Sequence, residues 1–141
     1  MKRNASAVWQ GDLKTGKGSI STQSGIISST QYSFSTRFEN GVGTNPEELV
    51  AAAHAGCFTM ALSGQLGQAG IVPERLETTA TVTLEKTDSG FAITESHLEV
   101  KAKLPAGADR AAFEKAAANA EKGCPISKLF NTKITMNTQL I

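Results

Sequence analysis

The segment from Gly43 to Leu62 reads G-T-N-P-E-E-L-V-A-A-A-H-A-G-C-F-T-M-A-L and has few ways to fold. Asn45 offers a side-chain oxygen to cap a helix, and Pro46 suits the first helical position, where no N–H is missed. Glu47 and Glu48 place negative charge in the first turn, and Glu48 falls three residues after Asn45, as in a capping box. From Leu49 onward the pattern is apolar almost all round, and Ala51, Ala52, Ala53, Ala55 and Gly56 keep it thin. A helix apolar on every face is expected to be buried inside the protein. Cys57 sits in it, about three turns from its start.

A buried cysteine standing alone is a small hydrophobe. The second cysteine, Cys124, lies in G-C-P-I-S-K-L-F, where Gly123 closes one helical pattern and Pro125 opens a short second one. Cys124 is thus placed at an N-cap, where partial positive charge favours thiolate over thiol. One cysteine in an apolar helix and another at a helix start suggest a redox pair.

Before the central helix the chain reads as antiparallel β structure. Ala5, Ala7 and Trp9 alternate with polar residues, G-D-L-K-T-G-K-G makes a turn, and Ile20 and Thr22 alternate again. After a break at Ser24-Gly25, the run Tyr32, Phe34, Thr36, Phe38 predicts a further strand. Its opposite face carries Ser33, Ser35 and Arg37, so Arg37 is expected to point away from Phe34 and Phe38.

Beyond the helix, Leu76, Thr78, Ala80, Val82 and Leu84 form one face of a strand, and Thr87-Asp88-Ser89-Gly90 is a turn. The return strand changes phase, from Phe91 and Ile93 to Leu98, Val100, Ala102 and Leu104, which predicts a β-bulge within Thr94 to His97. Asp109 is a candidate cap, and Phe113, Ala116, Ala117 and Ala120 make the stripe of a second helix. Ile134, Met136, Thr138 and Leu140 alternate as a last strand. The order β-β-β-α-β-β-α-β, with no parallel crossover unit, predicts an α+β fold with helices packed on antiparallel sheet.

Composition narrows the function. The 141 residues are expected to form one domain, and 40% apolar content with a net charge of +1 argues against disorder and against nucleic-acid binding. No window approaches about 18 uninterrupted apolar residues, so no membrane span is expected. The N-terminal M-K-R-N-A-S-A-V-W has no apolar core of a secretory signal, and two cysteines fit a reducing cytoplasm where a disulfide is transient and catalytic.

T-N-P-E-E-L-V-A-A-A-H-A-G-C-F-T-M-A-L, with T-R-F upstream and G-C-P-I-S downstream, closely resembles the OsmC/Ohr family of thiol peroxidases. Arg37 in T-R-F and His54 three residues before Cys57 point to its OsmC branch, the osmotically inducible protein C type. The resemblance extends over the whole chain, including A-x-W-x-G-D around Trp9, and Gly56 stands where alanine is common. It implies a single OsmC-like domain over residues 1–141, an intertwined homodimer whose antiparallel sheets wrap central helices, and no cofactor or metal. It also implies that organic hydroperoxides are the substrates and that an external dithiol, of the kind lipoyl proteins supply, is the reductant.

The implied catalytic residues are Cys57, Cys124, Arg37 and Glu47. Cys57 in its apolar helix should have a raised thiol pKa, and a neighbouring guanidinium supplies the missing stabilisation of thiolate. Arg37 matches the family arginine at the reactive cysteine. Glu47, ten residues before Cys57, is the carboxylate expected to pair with it, because an unpaired buried arginine is costly. Cys124 is the resolving thiol. Glu47 and Cys57 lie about 15 Å apart along one helix and about 80° away from a common face, so a partner chain or a kink must help, and we take the partner chain.

His54 has three readings. It lies on the Cys57 face of the helix and is placed to act as its base; with Cys57, His97 and Cys124 it is a conceivable zinc ligand; or it packs at an interface. The spacing is not that of a metal site, and packing is preferred. His97 reads as a surface or bulge residue. The alternative to a peroxidase is a protein that binds an apolar small molecule, or senses redox state, without turnover.

Overall fold

A computed structural model describes residues 1–141, which form two compact units, Met1–Leu49 and Val50–Ile141. In the first unit, β1 (Ala5–Gln10), β2 (Lys17–Thr22) and β3 (Thr30–Tyr32) form an antiparallel sheet in that order. Gly18 of β2 pairs with both Trp9 and Tyr32. A Cβ there would lie 2.3 Å from the Tyr32 ring, so glycine lets the two aromatic rings meet, their centroids 5.4 Å apart.

The run predicted as a continuous strand to Phe38 is instead a short strand followed by a helix, α1 (Phe34–Phe38). Ser33 and Thr36 form a reciprocal capping box: the Thr36 N–H donates to Ser33 Oγ at 3.3 Å, and the Ser33 N–H donates to Thr36 Oγ1 at 2.8 Å. Two apolar residues four apart satisfy a strand face and a helix face alike, and here the cap decides. Phe34 and Phe38 pack together on one side of the helix, their rings tilted by 43° with centroids 4.8 Å apart.

The long helix α2 (Pro46–Gln68) begins where predicted, with the Glu48 N–H donating to Asn45 Oδ1 at 2.8 Å. Its burial corrects the expectation of a helix enclosed on every side. Only His54, Phe58, Leu62 and Leu66 are buried, a stripe at four-residue spacing, while Met60 on another face is 79% exposed. By length and a mean hydropathy of 1.3 this helix could cross a membrane, although the sequence has no uninterrupted apolar window. Its stripe instead enters a protein core and carries a histidine whose two ring nitrogens are both hydrogen-bonded.

The second unit is built on β4 (Arg75–Thr87), β5 (Gly90–Lys103) and β6 (Lys133–Leu140), in that order. The β4–β5 hairpin is antiparallel, and its pairs Thr83–Glu95 and Leu84–Ile93 leave Thr94 as the extra residue of a bulge, inside the predicted span. The bulge brings Leu98, Val100 and Ala102 onto the core face. β6 departs from the antiparallel expectation: it runs parallel to β5, Leu98 opposite Met136. Two helices, α3 (Arg110–Gly123) and α4 (Pro125–Leu129), make the crossover that a parallel neighbour requires. Asp109 caps α3 by accepting from the Ala111 N–H at 2.9 Å, and Phe113, Ala116, Ala117 and Ala120 are buried as their spacing predicts. These four, Phe58, Leu62 and Leu66 of α2, and the β5 residues enclose Cys124 in one apolar core.

Candidate active site

In the first unit, capping of α1 and α2 sets the positions of Arg37 and Glu47. The amide of Asn45, whose oxygen caps α2, also donates from Nδ2 to the Thr36 carbonyl at 3.2 Å, joining the two helix ends. Arg37 Nε donates to both Glu47 oxygens, at 3.0 and 3.2 Å, and its terminal nitrogen donates to Oε1 at 2.7 Å. This fork-on-carboxylate pairing fixes the guanidinium plane. The Arg37 side chain remains 38% exposed, and Glu47 13%. Contrary to the strand reading, Arg37 does not point away from Phe38: its guanidinium carbon lies 5.3 Å from the centre of that ring. Trp9, Leu13, Tyr32, Phe34, Phe38 and Pro46 line a cleft of about 290 Å³ with Arg37 on its wall.

The second unit brings the two cysteines together. Cys57, half-buried on α2, and Cys124, wholly buried at the N-cap of α4, are free thiols with sulfurs 3.0 Å apart. Burial, reinforced by the neighbouring Cys124 sulfur, pushes the Cys57 thiol up. Burial also works against ionising Cys124, but the Cys57 thiol, the Ser127 N–H and hydroxyl, and the Ile126 N–H outweigh it and bring that thiol below its ordinary value. Of the two thiols, Cys124 is therefore the more easily ionised in the resting site, and Cys57 needs a further positive charge to become thiolate. Both directions agree with the sequence, although the Cys57 thiol lowers Cys124 more than the amides of the helix start do.

His54 does not form a couple with Cys57. Its Nδ1 lies 2.7 Å from Ser96 Oγ on β5 and its Nε2 lies 2.9 Å from Ser127 Oγ on α4, so both ring nitrogens are engaged. The ring also packs edge-on against Phe130, centroids 5.0 Å apart. His97 belongs to another network, bonded to Thr135 and to Glu99 Oε1 at 2.8 Å, and is paired in the sheet opposite Thr81 and Thr135. His54, Cys57, His97 and Cys124 thus do not converge as ligands.

Burial lowers the His54 pKa from its ordinary 6.5. Between that lowered value and 6.5 the unfolded chain binds a proton that the folded chain does not, so stability rises with pH across this window and is lost as pH falls. The urea midpoint is expected to drop between about pH 6.5 and pH 5, where ordinary carboxylates are still ionised. The drop should be absent in His54→Gln; a flat wild-type profile contradicts it.

Two parts of the site have no signature in the sequence. Ser96 and Ser127, the partners of His54, are ordinary serines in a strand and a short helix. The aromatic cleft depends on the α1 turn and on Gly18, and only the clustering of Tyr32, Phe34 and Phe38 before the central helix hints at it.

Residues 38–139 match the OsmC-like protein family. The chain is 48% identical over 138 residues to Peroxiredoxin OsmC of Escherichia coli K12, covering 98% of this chain and 96% of that one. Among solved structures it is similar to the organic hydroperoxide resistance protein OhrB of Bacillus subtilis, with TM-score 0.72, 26% identity and 98% of each chain covered. An OsmC-like protein of unknown function from Vibrio cholerae has the same fold at TM-score 0.78 and 16% identity, with 98% of this chain and 99% of that one covered. With the family's match spanning both thiols and the α2 motif, the chain belongs to the OsmC-like protein family.

Proposed function

We propose that the chain is a cysteine-based peroxidase that reduces organic hydroperoxides to alcohols. Peroxidase-type redox function follows from family membership and from the near full-length identity to a peroxiredoxin. The observation that carries the finer reading is the pair of free thiols with sulfurs 3.0 Å apart, one half-buried and one enclosed.

Cys57 is the attacking residue because it is the more accessible of the two. Its thiolate lone pair attacks the hydroperoxide, the O–O bond breaks, and the alkoxide leaves and takes a proton, giving Cys57 sulfenic acid and an alcohol. Cys124 sulfur then attacks Cys57 sulfur; the S–S bond forms, the S–O bond breaks, and the oxygen departs as water. An external dithiol, of the lipoyl kind, exchanges with the disulfide and restores both thiols.

Arg37, aimed by Glu47, supplies the positive charge that Cys57 lacks in its own surroundings and holds the peroxide oxygens. A second copy of the chain brings this pair to the thiols, since ten helical residues separate Glu47 from Cys57. The aromatic cleft beside Arg37 favours an apolar organic tail, which gains by burial, over hydrogen peroxide.

The same cleft also favours a second reading, a protein that binds an apolar molecule without turnover. One equivalent of cumene hydroperoxide separates the two. The peroxidase is expected to lose both free thiols together and yield a Cys57–Cys124 disulfide within one chain by non-reducing mass spectrometry. Persistence of both thiols under excess hydroperoxide leaves the binding reading.

A further inference from the structure

The chain Ser96–His54–Ser127 takes no part in the chemistry above, yet it lies in the core beside the thiols. His54 and Ser96 are wholly buried and Ser127 is 6% exposed. Three elements, β5, α2 and α4, each contribute one member, and two hydrogen bonds of 2.7 and 2.9 Å join them. A polar group at position 54 interrupts the otherwise apolar stripe of Phe58, Leu62 and Leu66. Ser127 stands one helical turn after Cys124, and its N–H and hydroxyl both act on the Cys124 sulfur, against the effect of burial. Among the groups acting on that sulfur, the titratable one is Cys57.

The protons in this chain can be counted. A neutral imidazole has one N–H and one acceptor nitrogen, and each serine has one O–H. With the proton on Nε2, His54 donates to Ser127 Oγ and accepts from Ser96 at Nδ1, so the Ser127 O–H is left for a third partner. With the proton on Nδ1, Ser127 donates to His54, and its remaining lone pair can only accept. The first arrangement suits a thiolate at Cys124 and the second a thiol.

We infer that His54 is a positioning residue for the resolving step: through Ser127 it presents an O–H donor to the Cys124 thiolate, and its two tautomers let the same buried chain fit thiolate and thiol. The inference rests on the peroxidase reading for its role in turnover. In that step the Cys124 thiolate attacks Cys57 sulfenic acid, the S–S bond forms as the S–O bond breaks, and the departing hydroxide takes a proton from solvent to become water. His54 touches neither reacting sulfur and acts through Ser127.

The test is an ultraviolet titration of thiolate in a Cys57→Ser background, where Cys124 is the remaining cysteine. Adding Ser127→Ala should raise the Cys124 midpoint by about one pH unit, a tenfold loss of thiolate at fixed pH below it. His54→Leu should give a similar rise, while Ser127→Thr and His54→Gln, which keep the donors, should return the midpoint toward the parent. A purely structural role predicts lower melting temperatures with unmoved midpoints, and that result overturns the inference. Should His54→Leu fail to fold, the Ser127→Ala and Ser127→Thr pair decides alone. The titration needs no hydroperoxide. A shifted midpoint in a chain whose thiols hydroperoxide leaves intact sinks the peroxidase reading and spares this one; normal disulfide closure with an unmoved midpoint does the reverse.

Discussion

Cys57→Ser is expected to abolish hydroperoxide turnover, a loss of about 10³-fold or more, because the thiol that remains, Cys124, is wholly buried and out of a hydroperoxide's reach. Cys124→Ser is expected to behave differently. The attacking sulfur is intact, so the first equivalent of hydroperoxide is still consumed. What is lost is the sulfur 3.0 Å away that would close the disulfide. Sulfenic acid then persists at Cys57 and meets further hydroperoxide, climbing to sulfinic and sulfonic acid. With a dithiol reductant present, wild type should cycle steadily, whereas Cys124→Ser should lose activity with each turnover. Intact mass should show two and then three added oxygens at Cys57 in the variant and a disulfide in wild type. A Cys124→Ser chain that cycles undiminished and stays free of sulfinic acid would assign resolution to another thiol, outside this chain.

How far the sequence foretold these features depends on whether the decisive interaction is local. The start of α2 was legible because Asn45, Pro46 and Glu48 satisfy or avoid backbone donors within one turn. The Thr94 bulge was legible because a phase change in alternation has one cheap explanation. The placement of Cys124 at a helix start followed from Gly123 and Pro125. The α1 turn is also local, but Phe34 and Phe38 fit both periods, and strand alternation puts Ser33 and Thr36 on opposite faces, which hides the box they form. The parallel direction of β6 lies in no pattern of its own residues, since alternation is the same beside a parallel or an antiparallel neighbour. His54 is the extreme case: its partners stand 42 and 73 residues away, and nothing in H-A-G-C separates a core histidine from a catalytic one.

Arg37→Ala is expected to lower the rate of Cys57 oxidation by about 10- to 100-fold, the worth of a charge-assisted hydrogen bond to a developing thiolate and peroxide. The same change should leave stability nearly intact. The Arg37–Glu47 pair is well formed, but Arg37 is 38% exposed, and an ion pair so open to solvent contributes about 0–1 kcal/mol. A structural arginine would show the opposite balance. Because burial already pushes the Cys57 thiol up, removing the cation should move the rising limb of the pH–rate profile to higher pH, so the deficit narrows as pH increases. Arg37→Lys, which keeps charge but not the fork, should fall between, and Glu47→Gln should cost less than either.

Mixing variants tests whether the site is shared between chains. If the Arg37 of one copy serves the Cys57 of another, a Cys57→Ser chain co-expressed with an Arg37→Ala chain forms mixed dimers with one complete site each. Random pairing then returns about a quarter of wild-type sites. If both residues of a site come from one chain, no mixed dimer is complete and activity is about half that of the Arg37→Ala variant alone. A monomer mass by light scattering in dilute buffer, together with full activity there, would reject the shared site outright and require Arg37 to serve the cysteine of its own chain.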